Sequence, residues 1–88
     1  MSVKIEVSSF LQPFAGNNDT VEVGGTTVRD CLDALAIKYP KIQEWLFDRT
    51  GVPKTIIVVN GKIIPPNNLN VAVFDDDEIS IIMPLDGG

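Results

Sequence analysis

The residues with the clearest chemical potential stand at the C-terminus, Pro84-Leu85-Asp86-Gly87-Gly88. Two successive glycines present no Cβ, so a segment ending this way can enter a narrow channel and leave the Gly88 α-carboxylate open to attack. Extended at ~3.3–3.6 Å per residue, these five positions reach roughly 17 Å. Pro84 stiffens the exit. An arm of this kind suits acyl chemistry at a bare carboxylate, with the activating groups supplied by another protein.

The remainder of the sequence agrees with that division of labour. There is no histidine, which removes the commonest general base, the usual zinc ligand and every Ser-His or Cys-His pair. The seven glycines form neither a GxxxxGK nor a GxGxxG pattern, so no phosphate-cradling loop is expected. The single Cys31 can form neither an internal disulfide nor a cysteine metal cluster, a usage that fits a reducing compartment, the cytoplasm. Seven Lys+Arg against twelve Asp+Glu give a net charge of −5, without the basic footprint of a nucleic-acid binder. Apolar runs are too short for a membrane span. A partner is expected, not an enzyme acting alone.

Eighty-eight residues, 44% of them apolar, build one domain with one core. Val3, Ile5 and Val7 alternate with polar residues and predict a half-buried strand; Val21 and Val23 predict its hairpin partner across a long loop. Thr26 or Thr27 can cap a helix. Val28, Cys31, Leu32, Leu35, Ala36 and Tyr39 form its apolar stripe, and Pro40 ends it. Ile42, Trp45 and Leu46 predict a second short helical turn. Thr55–Val59 is β-branched throughout and reads as an interior strand covered on both faces. Asn60-Gly61 predicts a tight hairpin to Lys62–Ile64. Val71–Phe74 reads as a brief extended segment, Asp75–Asp77 as a polar turn, and 78–83 as the last strand, with Ile79, Ile81 and Met83 on one face. The expected class is α+β: a mixed sheet of about five strands packed on one main helix, with a domain at 1–83 and a flexible Gly-Gly tail at 84–88.

A β-β-α-β-β-β domain ending in Gly-Gly resembles the β-grasp, ubiquitin-like sulfur carriers (ThiS/MoaD-like): the molybdopterin synthase small subunit and the carriers of thiamin and cysteine synthesis. The resemblance covers essentially the whole chain. It rests on Phe10-Leu11-Gln12-Pro13, the helix ending Lys38-Tyr39-Pro40, Val58-Val59-Asn60-Gly61, the acidic turn before Glu78-Ile79, and Pro84 ahead of the Gly-Gly. Two departures stand out: the acidic turn lacks the family's usual glycine, and Asp86 replaces the small residue often found before Gly-Gly.

The resemblance implies that an E1-like enzyme uses ATP to adenylate Gly88, with Gly87 beside it, and that a persulfide donor converts the carboxylate to a thiocarboxylate. The acceptor would be a molybdopterin synthase large subunit, a thiazole synthase or a cysteine-synthase-like enzyme, with the molybdopterin type slightly favoured. No bound cofactor and no metal are implied. Pro84, Leu85, Asp86, Ile82, Phe10, Asp75 and Asp77 are the expected partner contacts. The acidic run 75–78 also reads as a simple solvated turn, Phe10 as a core edge, and Cys31 as a buried packing thiol. The competing functions are a ubiquitin-like modifier joined through Gly88 to lysines, and an interaction domain with an incidental Gly-Gly end.

Overall fold

The computed structural model describes residues 2–84. Five strands, β1 (Val3–Val7), β2 (Thr20–Val23), β3 (Ile56–Val59), β4 (Lys62–Ile64) and β5 (Glu78–Ile82), form one sheet in the order β2-β1-β5-β3-β4. β1 and β5 run parallel; the other neighbours are antiparallel. The main helix, α1 (Val28–Lys38), packs across one face of the sheet, and a short helix, α2 (Gln43–Leu46), follows it. This is the expected mixed sheet on one helix.

Alternation sets the inner face. Val3, Ile5 and Val7 of β1, Val21 and Val23 of β2, and Ile79 and Ile81 of β5 are all buried, because period-2 side chains share a face. They meet Val28, Cys31, Leu32, Leu35 and Ala36 of α1, also buried.

The start of α1 is fully satisfied. The Thr27 hydroxyl accepts from the Asp30 amide at 3.1 Å, while the amides of Val28 and Arg29 donate to the carbonyls of Val71 and Leu69. The 65–77 connection thus supplies acceptors for donors that an isolated helix leaves orphaned. That duty also explains its backbone: among the described residues a single bridge, Thr27 to Ala72, forms where an extended segment over Val71–Phe74 is expected.

The strand around Ile56–Val59 departs from its sequence reading. Ile57 and Val59 are buried on the helix side, but Ile56 and Val58 are only half-buried. Helix α1 covers one face, and among the described residues nothing covers the other. Branching at Cβ favours extended backbone whether or not both faces are covered. The Asn60-Gly61 turn forms as expected, with φ of 47° and 86°, the left-handed pair that a two-residue hairpin requires.

Thr55 precedes β3 and is buried, yet among the described residues its Oγ1 has no hydrogen-bond partner. A buried hydroxyl without a partner costs about 1–3 kcal/mol. Thr55→Val keeps the shape and removes that cost, so urea denaturation should show a variant more stable by about 1 kcal/mol.

Candidate functional site at the root of the C-terminal arm

β5 is the central strand, held on both sides. Its register places Val7 beside Ile81 and Ile56 beside Ile82, and the Ser8 amide donates to the Ile81 carbonyl at 3.3 Å. The chain therefore leaves the sheet where β1 turns into its loop and β3 begins. Met83 is half-buried and still packs against the core, whereas Pro84 is exposed. Leu85, Asp86, Gly87 and Gly88 lie outside the described residues.

Phe10 belongs to the loop that follows β1 at this same end, and it is 47% exposed. Its ring meets Trp45 edge-on, with centroids 5.1 Å apart at 77°, and Phe14 lies against the indole at 5.3 Å. Such pairs contribute about 0.5–1.5 kcal/mol beyond their burial. The Lys54 ammonium lies 6.0 Å from the Trp45 centroid and donates to the Glu44 carbonyl at 2.6 Å. This aromatic cluster was not legible from spacing, because a long loop and α2 contribute its members from distant stretches of sequence.

Ile82 is 43% exposed and points away from α1, as alternation predicts. Its neighbours on that face are Ile56, Val58 and Ile63, the last 70% exposed. Together they make the outer face apolar across β3, β4 and the last residue of β5, while Lys4, Glu6, Glu22, Ser80 and Glu78 make the remainder of it polar or charged. The signal for this patch was available: a two-residue turn at Asn60-Gly61 pairs Val58 with Ile63 on one face. Reading 55–59 as covered on both faces hides the part formed by Ile56, Val58 and Ile63, but not Ile82, which alternation already turns outward.

Ile82, Pro84 and Phe10 thus share one end of the sheet. Asp75 and Asp77 do not. They precede β5, and seven residues of strand at ~3.3 Å each separate Asp77 from Pro84 by roughly 23 Å. Their carboxylates also have structural partners. Asp75 accepts from the Ser2 amide at 2.8 Å. Asp77 accepts from the Asn60 side-chain amide at 3.0 Å and from the Phe74 amide at 2.8 Å, while Asn60 Oδ1 accepts from the Glu78 amide. The turn is latched to the β3–β4 hairpin, a role beyond the solvated turn or docking patch read from sequence.

The Asn60 and Phe74 donors hold the Asp77 carboxyl below its ordinary 3.8. Asp30, held by Thr26 and Thr27, and Asp48, held by Thr50 and Val52, are lowered likewise. A carboxylate whose pKa is lower in the folded state stabilises the fold fully above its unfolded value, and the contribution is lost as pH falls through the folded one. Stability should therefore drop below about pH 4. Asp77→Asn should be less stable than the parent at neutral pH and lose less on acidification, as measured by denaturant midpoints from about pH 6 to about pH 3.

Cys31 is fully buried on α1. Burial, and secondarily the Asp30 charge, push its thiol pKa up, so it is a packing residue, as expected. Alkylation of the folded protein should proceed only as fast as the fold opens, and denaturant should release rapid labelling. Among the described residues no cluster of His, Cys, Asp or Glu could hold a metal, and no helix is long and apolar enough to cross a membrane.

Comparison with known proteins accords with this geometry. SAMP1 from Haloferax volcanii superposes with a TM-score of 0.87 at 28% identity over 100% of both chains. The small archaeal modifier protein 1 of Methanosarcina acetivorans gives 0.86 at 28% identity, covering 99% of this chain and 96% of that one. A chain from the complex of subunits 1 and 2 of the Helicobacter pylori molybdopterin-converting factor gives 0.66 at 26% identity over 100% of both chains. No curated protein sequence matches the chain. The fold is the β-grasp of these ubiquitin-like proteins. Since the sequence profile of the ThiS family matches residues 5–88, through the Gly-Gly itself, the chain belongs to the ThiS family.

Proposed function

We propose that this protein carries sulfur on the Gly88 carboxylate. The observation that supports the reading best is the placement of β5: a central strand, paired on both sides, that brings an exposed Pro84 to the rim of the sheet four residues before Gly88. A rigid root and a slim end can reach into a closed site, which raises effective concentration and keeps water out.

In the proposed sequence an E1-like partner binds ATP, and a Gly88 carboxylate oxygen attacks its α-phosphorus, releasing pyrophosphate. A persulfide sulfur then attacks the acyl carbon and AMP leaves. A thiol cleaves the resulting acyl disulfide, giving the thiocarboxylate and a disulfide. The acceptor is a synthase that takes sulfide from this arm, of the molybdopterin type first, with thiazole and cysteine synthesis as the other candidates. The protein contributes presentation and docking, through Pro84, Leu85, Asp86, Ile82 and Phe10; the catalytic groups are the partners'. Asp75 and Asp77 stand too far from the root to share that contact, and in this reading they serve the fold.

The test uses the full chain with a purified E1-like enzyme, ATP and a persulfide donor. Intact mass should rise by one oxygen-to-sulfur exchange, and only when ATP is present. Absence of any gain with every E1-like partner of the host would sink the reading. The resemblance to the two archaeal modifier proteins supports a second use, conjugation of Gly88 to lysines, which begins with the same adenylate. Lysine-linked conjugates in a lysate, absent for a chain without Gly87-Gly88, would establish it.

A further inference from the structure

The two edges of the sheet are finished differently. β4 is three residues long, begins with Lys62 and runs into Pro65-Pro66, features that blunt an edge against further pairing. β2 contains no proline, and among the described residues no strand lies on its outer side. The ladder fixes which of its backbone groups are free. The Val7 amide donates to the Asp19 carbonyl at 2.8 Å, while the Lys4 amide turns the other way, to Asp77. With Ile5 opposite Val21 and Val3 opposite Val23, the alternation of an antiparallel pair makes Val21 and Val23 the residues bonded to β1. The N–H and C=O groups of Thr20 and Glu22 therefore face outward.

A groove of about 680 Å³ follows this edge. Lys38 and Tyr39, from the end of α1, border it on one side; Lys4, Glu6, Glu22 and Glu78 border it on the other. We propose that the β2 edge takes up an extended segment of a partner protein as a sixth strand, and that this segment carries Lys or Arg at alternate positions.

Main-chain bonds to Thr20 and Glu22 would hold such a segment, and its alternating side chains would set specificity. Those on the outer face come beside Glu22, with Glu6 and Lys4 one strand further in and Glu78 beyond them, a net negative balance that favours cations. Those on the inner face come beside Val21, Tyr39 and the Lys38 ammonium, which favour small apolar groups over a second set of cations. The same carboxylates oppose a second copy as the occupant, because pairing β2 with β2 gathers the Glu22 side chains of both chains on one face. They oppose a nucleic-acid backbone equally. The edge stands two strands from β5, so this inference goes beyond the proposed use of Gly88 and does not depend on it.

The test is titration of the isotope-labelled full chain with a blocked Lys-Val-Lys-Val-Lys peptide, followed by NMR. Amide shifts should centre on Thr20–Val23, and solvent exchange of the Thr20 and Glu22 amides should slow. Binding should weaken with salt. It should fall about tenfold with Glu22→Pro, which removes one outward donor together with the nearest carboxylate and leaves the β1 ladder intact, and less with Glu22→Gln, which removes the charge alone. Should the proline variant not fold, the peptide methylated on alternate backbone nitrogens should show the same loss. A chain without Gly87 and Gly88 should bind unchanged, which separates this site from the arm. The proposal is overturned if the Thr20 and Glu22 amides do not respond, if a Glu-Val-Glu-Val-Glu peptide binds as well, or if the β4 amides respond instead.

Discussion

Deletion of Gly87 and Gly88 is expected to abolish sulfur loading completely while leaving the thermal midpoint of the domain unchanged within about 1–2 °C. The second half follows from the packing: Met83 is the last described residue against the core, and Pro84 is already exposed. The first half follows from reach and access. Without its last two positions the arm is shorter by roughly 7 Å, and its new terminal carboxylate belongs to Asp86, whose own side chain crowds the acyl carbon and sets a second negative charge beside it. Intact mass after incubation with the E1-like enzyme, ATP and persulfide donor reads the outcome, with differential scanning calorimetry as the control. Gly87→Val should give a graded loss, since it keeps length and adds bulk. A truncated chain that still gains sulfur would show that Gly88 is not the carrier position.

Leu32→Ala is expected to cost about 2–5 kcal/mol, against a total stability of roughly 4–13 kcal/mol for a domain of this size. Leu32 lies in the middle of α1 and is fully buried in the core, so truncation there removes apolar contacts and leaves a cavity. Ile37, on the same helix, is 80% exposed, and Ile37→Ala should change stability by less than about 0.5 kcal/mol. Urea denaturation of both variants distinguishes the positions, with a shifted midpoint and an unchanged slope for Leu32→Ala. A cost near zero at Leu32 would mean that α1 does not anchor the sheet, and with it the root of the arm.

Much of this architecture was legible in single stretches of sequence, because their signals are local. The stripe from Val28 to Ala36, the Thr27 cap, the alternation in β1 and β5 and the Asn60-Gly61 turn each declare themselves within a dozen residues. The outward direction of Ile82 followed from the same alternation. What distant residues decide was not legible. No local feature brings Phe10 to Trp45, or gives the Asp77 carboxylate to Asn60. The acidic run reads as free charge until the hairpin that captures it is in place. At the end of the chain the proposed chemistry rests on the missing Cβ of Gly87 and Gly88 and on the family match through residue 88.

The pairing of β1 with β5 has a consequence for how the molecule comes into being. Val7 and Ile81 are neighbours in the sheet although nearly the whole chain separates them, so the first hairpin cannot complete its side of the core during synthesis. Collapse must await the last strand, and long-range closure of this type is slow compared with helix formation. A ribosome-bound chain that has not yet emitted β5 should remain protease-sensitive, and docking of β5 both completes the globule and sets the arm at its rim.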